Sequence, residues 1–292
     1  MKTLMKTLAF APGHITGFFE PVYHAEDMSR CGSRGAGVSI SLGAYSESSV
    51  INTKSQTIEV FINGRKSPAP VTKLALNYLV GNNSLGITIK TRLDLPMGQG
   101  FGMSAAGALS ACLAVSKLCN LSESDALRAA HFAEVRLGTG LGDVISSFFG
   151  GFEIRKSPGL PPWGVIEHIH GCEDIVLCVI GKKINTKKIL SDKNKVSKIV
   201  EYGRFCTKKI LEKPTIDNLF YLSEVFTNKT GLGSKPVVDA INAANKFGMS
   251  SMCMLGNSLF AIGNKEELIK TLSKYGRVYI ASVDSAGSRI IK

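Results

Sequence analysis

No stretch of the 292 residues offers the roughly 18 consecutive apolar positions that a membrane span requires, so the sequence reads as that of a soluble protein with no membrane partner. Zinc-type cysteine spacing is missing too. The seven cysteines (Cys31, Cys112, Cys119, Cys172, Cys178, Cys206, Cys253) form no Cys-x-x-Cys pair, and their odd number argues against a disulfide framework. Cys112, between Ala111 and Leu113, reads as a core thiol, and the cytoplasm is the expected compartment. The opening MKTLMKTLAF places lysines before a few apolar residues. Pro12-Gly13-His14 interrupts it before a signal-peptide core develops, and a first strand over Thr7–Ala11 is expected instead. Acidic residues are scarce: 23 Asp and Glu against 35 Lys and Arg leave a net charge of +12. The surplus concentrates between Lys182 and Lys213, where lysines including Lys187 and Lys188 alternate with apolar residues. With no nucleic-acid-binding motif beside it, this pattern predicts a solvated basic helical face rather than a nucleic-acid surface, and it would favour an anionic nucleotide.

What is present is globular. Hydrophobic residues make up 44% and charged residues 20%, enough apolar material for a large core, and the length favours two medium domains over one. Strands are expected at 36–42, 49–52, 57–62 and 86–93, the third from the alternation of Ile58, Val60 and Ile62. Helices are expected at 71–80, 104–118, from a capping box at Ser122-Glu123-Ser124-Asp125 to Leu137, and at 144–149. A strand over 152–155 follows, and Pro158, Pro161 and Pro162 mark a boundary between domains 1–157 and 158–292. The second half continues with strands at 175–180, 252–255, 258–262 and 277–283, and helices near 196–211, 217–228, 235–247 and 265–274. The class is α+β with mixed sheets.

The strongest chemical signal is PMGQGFGMSAAGALS, residues 96–110. Gly98, Gly100 and Gly102 run into a helix start, where glycines admit close approach of an anion and the helix end supplies unpaired N–H groups. The Gly-Lys-Ser/Thr of a P-loop is absent, as is the acidic residue of a dinucleotide fingerprint, so the loop alone implies only a phosphate ligand.

Several segments, in order, carry a resemblance. Pro96, Gly100, Gly102, Ser104 and Ala105 match P-x3-G-x-G-S-S-A, with Met103 replacing the first serine. Ala11-Pro12-Gly13-His14, with Gly17 and Glu20, resembles an A-P-G-K motif, and Met254-Leu255-Gly256-Asn257-Ser258 resembles a C-terminal glycine-rich motif. The chain resembles the GHMP kinase superfamily. APGHITGFFE, GSRGAG, AHFAE, GTGLGDV and GGFEIR are most similar to the archaeal pantoate kinases within it. The resemblance implies an N-terminal domain with a left-handed βαβ unit, a ferredoxin-like C-terminal domain and an active site between them. It implies ATP and Mg²⁺, with pantoate as the small-molecule acceptor, and it is compatible with a homodimer.

The resemblance also assigns roles. Pro96, Gly98, Gln99, Gly100, Phe101, Gly102, Met103, Ser104, Ala105 and Ala106 would hold the ATP phosphates. Ser104 and Glu134 would hold Mg²⁺, which takes few protein oxygens, and Asp143 would orient the acceptor hydroxyl and accept its proton. Their ordinary readings are a helix cap for Ser104 and Asp143 and a solvated helix residue for Glu134. A carboxylate acceptor calls for a cation, so Arg155, with Arg34 as rival and His131 as helper, is expected in the acceptor pocket, together with His14, Gly256, Asn257 and Ser258. His14 stands where the superfamily has lysine, which leaves open how Asp143 gains a cationic neighbour. Gly256 to Ser258 can equally form a plain hairpin turn. The competing functions are another kinase of the superfamily, of homoserine or mevalonate type, a basic nucleic-acid-binding module, and a non-catalytic nucleotide-binding regulator.

Overall fold

The short strands expected at 7–11, 36–42 and 49–52 are parts of two long ones, β1 (Lys6–Val22) and β2 (Gly32–Asn52). The breaks are absorbed rather than terminating: register shifts at Pro12/Gly13 and Thr16/Phe18 bulge β1 against β2 and let pairing continue from Lys6↔Ser49 to Val22↔Gly32. The computed structural model describes residues 6–184, 189 and 192–292. Lys187 and Lys188 of the basic stretch lie outside them.

The chain continues through β3 (Thr57–Ile62), β4 (Arg65–Lys66), α1 (Pro70–Val80), β5 (Leu85–Leu93), α2 (Met103–Leu118), α3 (Glu123–Leu137), α4 (Asp143–Phe149), β6 (Phe152–Ser157) and β7 (Val165–Ile169). The first sheet runs β12-β1-β2-β5-β3-β4, with β6 pairing β2 and β7 pairing β6; β12 is Arg289–Ile290. Only β3 and β5 pair in parallel, across α1. Helix α2 is alanine-rich and buried along almost its whole length, because small side chains let it lie between the sheet and the helices α1 and α3. Helix α3 starts at the expected capping box, where Ser122 and Asp125 exchange side-chain-to-backbone bonds.

The second sheet contains β8 (Asp174–Val179), β9 (Gly248–Met252), β10 (Ser258–Gly263) and β11 (Arg277–Ser282) in the order β11-β8-β10-β9, all antiparallel. Helices α5 (Lys193–Glu212), α6 (Ile216–Thr230) and α7 (Lys235–Ala244) connect β8 to β9, and α8 (Lys265–Leu272) connects β10 to β11. The fold is α+β with two sheets, as expected. The basic face is also as expected: on α5, Ile199, Cys206 and Ile210 are buried while Lys195, Lys198, Lys208 and Lys209 are exposed. Among the described residues no helix is long and apolar enough to cross a membrane.

Two boundaries depart from the sequence reading, and one strand has no counterpart in it. β7 and β12 belong to the first sheet, so a division at 157/158 does not separate the two sheets. The strand expected at 252–255 lies earlier, at Gly248–Met252, because the chain turns at Leu255, whose φ is 63°. The short β12 has too few residues to show an alternation.

The two halves meet along β1, against which α5 and α6 pack. A side chain at Gly17 would sit 2.2 Å from the Ser223 hydroxyl of α6, and one at Gly203 of α5 would sit 2.1 Å from the Phe19 carbonyl. Gly17→Ala is therefore expected to destabilise the protein by about 1–3 kcal/mol through overpacking, and Ser223→Ala added to it should recover part of the loss. Thermal unfolding of the two variants checks this; equal melting temperatures for the single and double variants would contradict the contact.

Candidate active site

The glycine-rich segment that follows β5 folds back over the first turn of α2. Gly98, Gly100 and Gly102 have φ values of 75°, 76° and 61°, in the left-handed region that glycine adopts without strain. Gly102 is the N-cap of α2 and no side chain caps that end; the first intrahelical bond runs from the Ala106 N–H to the Gly102 carbonyl at 2.9 Å. The N–H groups ahead of Ala106 therefore form the anion-attracting end of the helix. Ala106 itself commits its N–H to the helix.

A cavity of about 150 Å³ opens at this helix end. Gly98 and Gly100 to Ser104 form one wall, Glu134 and Gly138 to Asp143 a second, and Thr16, Phe19, Tyr23, Ser33, Met254 and Leu255 the remainder. The expected trio Ser104, Glu134 and Asp143 thus converges. Ser104 donates to Glu134 Oε1 at 3.0 Å. Glu134 is 3% exposed, and burial, followed by the negative charge of Asp143, pushes its pKa up to about 7. Asp143 is the first residue of α4 rather than its cap, which is Gly142.

Beneath Asp143 lies a buried charged chain. His14 sits between the two bulges of β1, fully buried, with Nδ1 2.7 Å from Asp143 Oδ1 and Nε2 3.0 Å from Glu153 Oε1. Two carboxylates can only accept, so both ring nitrogens donate and the ring is an imidazolium. Burial opposes that charge, but Glu153 and Asp143 outweigh it and raise the pKa of His14. Burial likewise opposes ionisation of Asp143, and the hydrogen bond and charge of His14 lower its pKa nonetheless. The raised histidine stabilises the fold fully below about 6.5 and loses that contribution as pH climbs past its shifted value. The lowered aspartate contributes above its ordinary value of 3.8 and loses its contribution as pH falls through the shifted one. Gly37 on β2 makes room, since a Cβ there would lie 2.6 Å from His14 Nε2.

Glu153 and Arg155 lie two apart on β6 and so share a face. Arg155 is 2% exposed; its Nη1 donates to Glu153 and to Ser146 Oγ at 3.0 Å, while its Nε and Nη2 are buried without partners. That unpartnered edge lies just behind the cavity wall, because a Cβ at Gly142 would fall 2.8 Å from Arg155 Nε and 2.5 Å from the Ser33 hydroxyl.

Other expected acceptor residues lie elsewhere. His131 turns from α3 toward a short 3₁₀ turn and donates through Nε2 to the Met28 carbonyl at 3.2 Å. Arg34 faces away from Ser33 and pairs with Glu20 at 3.4 Å, beside Arg204, because successive strand residues point to opposite faces. His14 is not on the cavity wall but props Asp143 from below. Gly256, Asn257 and Ser258 grip the glycine-rich loop from outside: the Asn257 N–H donates to Gln99 Oε1 at 3.1 Å, Ser258 Oγ to the Gln99 carbonyl, and Gly256 packs on the Gln99 backbone. Gln99 returns the contact through Nε2 to the Gly181 carbonyl at 2.8 Å, so its side chain is a clamp rather than a phosphate ligand. Met254 and Leu255 of that motif, not its last three residues, reach the cavity.

This arrangement places an anion cradle, two carboxylates and a buried cation around one small cavity. Residues 70–151 match the N-terminal domain of the GHMP kinases. The chain is 37% identical to a pantoate kinase of Methanocaldococcus jannaschii over 90% of its own length and 95% of the relative's. It is 36% identical to a pantoate kinase of Thermococcus kodakarensis, over 90% and 89% of the two chains. The chain belongs to the GHMP kinase family. A solved phosphotransferase related to the CoA biosynthesis pathway superposes with a TM-score of 0.89 at 32% identity, covering 98% of this chain and 99% of its own. Homoserine kinase from Cytophaga hutchinsonii, at 17% identity, shares the fold with a TM-score of 0.68 over 100% and 99% of the two chains.

In this GHMP kinase the sequence reading missed Thr16, Ser33 and Glu153. Only Glu153 left a usable signal, an opposite charge two residues before Arg155 on the same strand face. His131 yields a testable pH effect. Burial first, against hydrogen bonds that oppose it, lowers its pKa from 6.5 to about 4, so neutral His131 contributes stability above pH 6.5 that is lost as pH falls toward 4. His131→Gln should flatten the decline in melting temperature over that interval by a few degrees, at roughly 2–4 °C per kcal/mol. Parallel pH profiles for variant and parent would contradict the assignment.

Proposed function

We propose that the protein transfers the γ-phosphoryl group of ATP to the primary hydroxyl of pantoate, giving 4-phosphopantoate on the route to coenzyme A. One observation carries the reading: Ser104, Glu134 and Asp143, the last backed by His14, face one cavity at the open end of α2, in a chain whose near-full-length relatives are pantoate kinases.

The N–H groups of Met103 to Ala105 and the loop glycines would hold the phosphates of ATP. Ser104 Oγ and Glu134 suit Mg²⁺, as two oxygen donors beside the phosphate cradle, and Glu134, with a pKa near 7, is readily ionised by a bound cation. Bound there, Mg²⁺ would neutralise the phosphate oxygens as charge shifts toward the leaving group. Asp143, kept ionised by His14, orients the acceptor hydroxyl and takes its proton while its oxygen bonds to the γ-phosphorus and the bond to the β-bridging oxygen breaks. The acceptor's carboxylate belongs at Ser33, in front of the unpartnered edge of Arg155, where a guanidinium left half-satisfied in a buried site supplies the attraction.

The same reading extends to the architecture and setting. We take β3–α1–β5 as the left-handed crossover of the family and the β11-β8-β10-β9 sheet with its helices as ferredoxin-like, on the strength of its β-α-β-β-α-β order. The scattered unpaired cysteines suit a cytoplasmic enzyme.

ADP release, followed with pantoate, homoserine and mevalonate as acceptors, tests the function. Turnover with pantoate is expected, lowered in Asp143→Asn by roughly 10²–10⁴-fold. Arg155→Met should raise KM for pantoate while leaving KM for ATP near the parent value. Turnover with homoserine or mevalonate but not with pantoate would overturn the assignment.

A further inference from the structure

Four charged groups line up behind the cavity in strict alternation: Asp143, His14, Glu153, Arg155. Glu153 is fully buried, and a single oxygen, Oε1, receives all three of its contacts: His14 Nε2 at 3.0 Å, Ser146 Oγ at 3.1 Å and Arg155 Nη1. On either side of that oxygen, His14 Nε2 and Arg155 Nη1 stand 3.4 Å apart. Two cations at that distance in a dry interior repel strongly unless an anion lies against both.

We propose that Glu153 is a positioning residue that ties recognition of the acceptor's carboxylate to the orientation of Asp143. It does so from behind the cavity wall, touching neither substrate. By engaging Nη1 it fixes the guanidinium so that the Nε and Nη2 edge, which has no partner among the described residues, is presented behind Ser33 and Gly142. By accepting from Nε2 it holds the His14 ring so that Nδ1–H points at Asp143. The two functions share one oxygen, so neither can be lost alone. Without the negative charge, His14 and Arg155 compete for the space between them. The ring then yields its Nε2 proton and accepts from Arg155, which turns the guanidinium from its edge-on pose and leaves Asp143 facing a neutral imidazole. Ser146, donating to Glu153 and accepting from Arg155, braces the same geometry.

This inference rests on the pantoate reading above, and its test separates the two. Steady-state kinetics of Glu153→Gln and Glu153→Asp are measured with pantoate and with its C1 amide as acceptors, alongside melting temperatures. Glu153→Gln is expected to lower kcat about tenfold or more and to raise KM for pantoate several-fold, effects of the size seen for charged buried hydrogen bonds, while KM for ATP stays within about twofold. It should also narrow the preference for pantoate over the amide, because the guanidinium is no longer aimed. Glu153→Asp, which keeps the charge on a shorter arm, should recover part of both losses and provides the comparison if the Gln variant fails to fold. Parental kcat, KM and acceptor preference in a folded Glu153 variant, whatever its melting temperature, would reduce the residue to a structural role and overturn the inference alone. A parent enzyme inert toward pantoate would overturn the function and the inference together.

Discussion

The active site is built on one buried imidazolium. His14 has no exposure, lies between two carboxylates, and is held there by a strand that bulges on both sides of it. A charge in that position is costly unless it is both paired and hydrogen-bonded, and here Asp143 and Glu153 satisfy both ring nitrogens. The surroundings fit that requirement. Gly37 leaves the space the ring needs, Gly102 sits over the His14 backbone with its N–H end open toward the cavity, and β6 brings Glu153 and Arg155 across from β2. Lysine in the same place would offer a flexible point charge; the ring offers two donors at a fixed angle, each committed to a different carboxylate.

A second constraint is the tie between the halves. The turn after β9 seizes the glycine-rich loop through Gln99, and the Met254 N–H donates to the Thr16 carbonyl of β1 at 3.2 Å. With α5 and α6 packed on β1, the second half acts as a backing plate for that loop. The C-terminal β12 closes onto β1 and so stabilises the strand that carries His14. A loop whose conformation is imposed from outside has little ordering left to do when it meets a phosphate, which is where preorganisation assists catalysis.

Much of this is legible in the sequence because it is local. The capping box at Ser122, the glycine spacing before α2 and the alternation in β3 each report on neighbours a few residues away, and each is observed. Ser104, Glu134 and Asp143, singled out by the resemblance to the kinase family, do converge on the cavity. What escapes the sequence is direction. Arg34 and Ser33 are adjacent, yet only the tertiary fold decides which faces the cavity and which faces Glu20. His131 shares a helix face with Glu134 but ends on the Met28 carbonyl, because α3 meets a loop there rather than the site. His14, read as a residue at odds with its motif, is the cation that Asp143 requires, and its partner Glu153 lies 139 residues away. Gly17 and Gly37 are clearances for the Ser223 and His14 side chains, a feature visible only when the partner is known.

The claim that most depends on this account is the protonation of His14. Selective ¹⁵N labelling of the histidine rings, with only five histidines to resolve and His14 assigned by its loss in a His14→Gln variant, reads it directly through long-range ¹H–¹⁵N correlations. Two proton-bearing ring nitrogens on His14 at pH 7 are predicted, in the ligand-free protein. A His14 ring with one unprotonated nitrogen at that pH would contradict the imidazolium, and with it the physical basis assigned to Asp143.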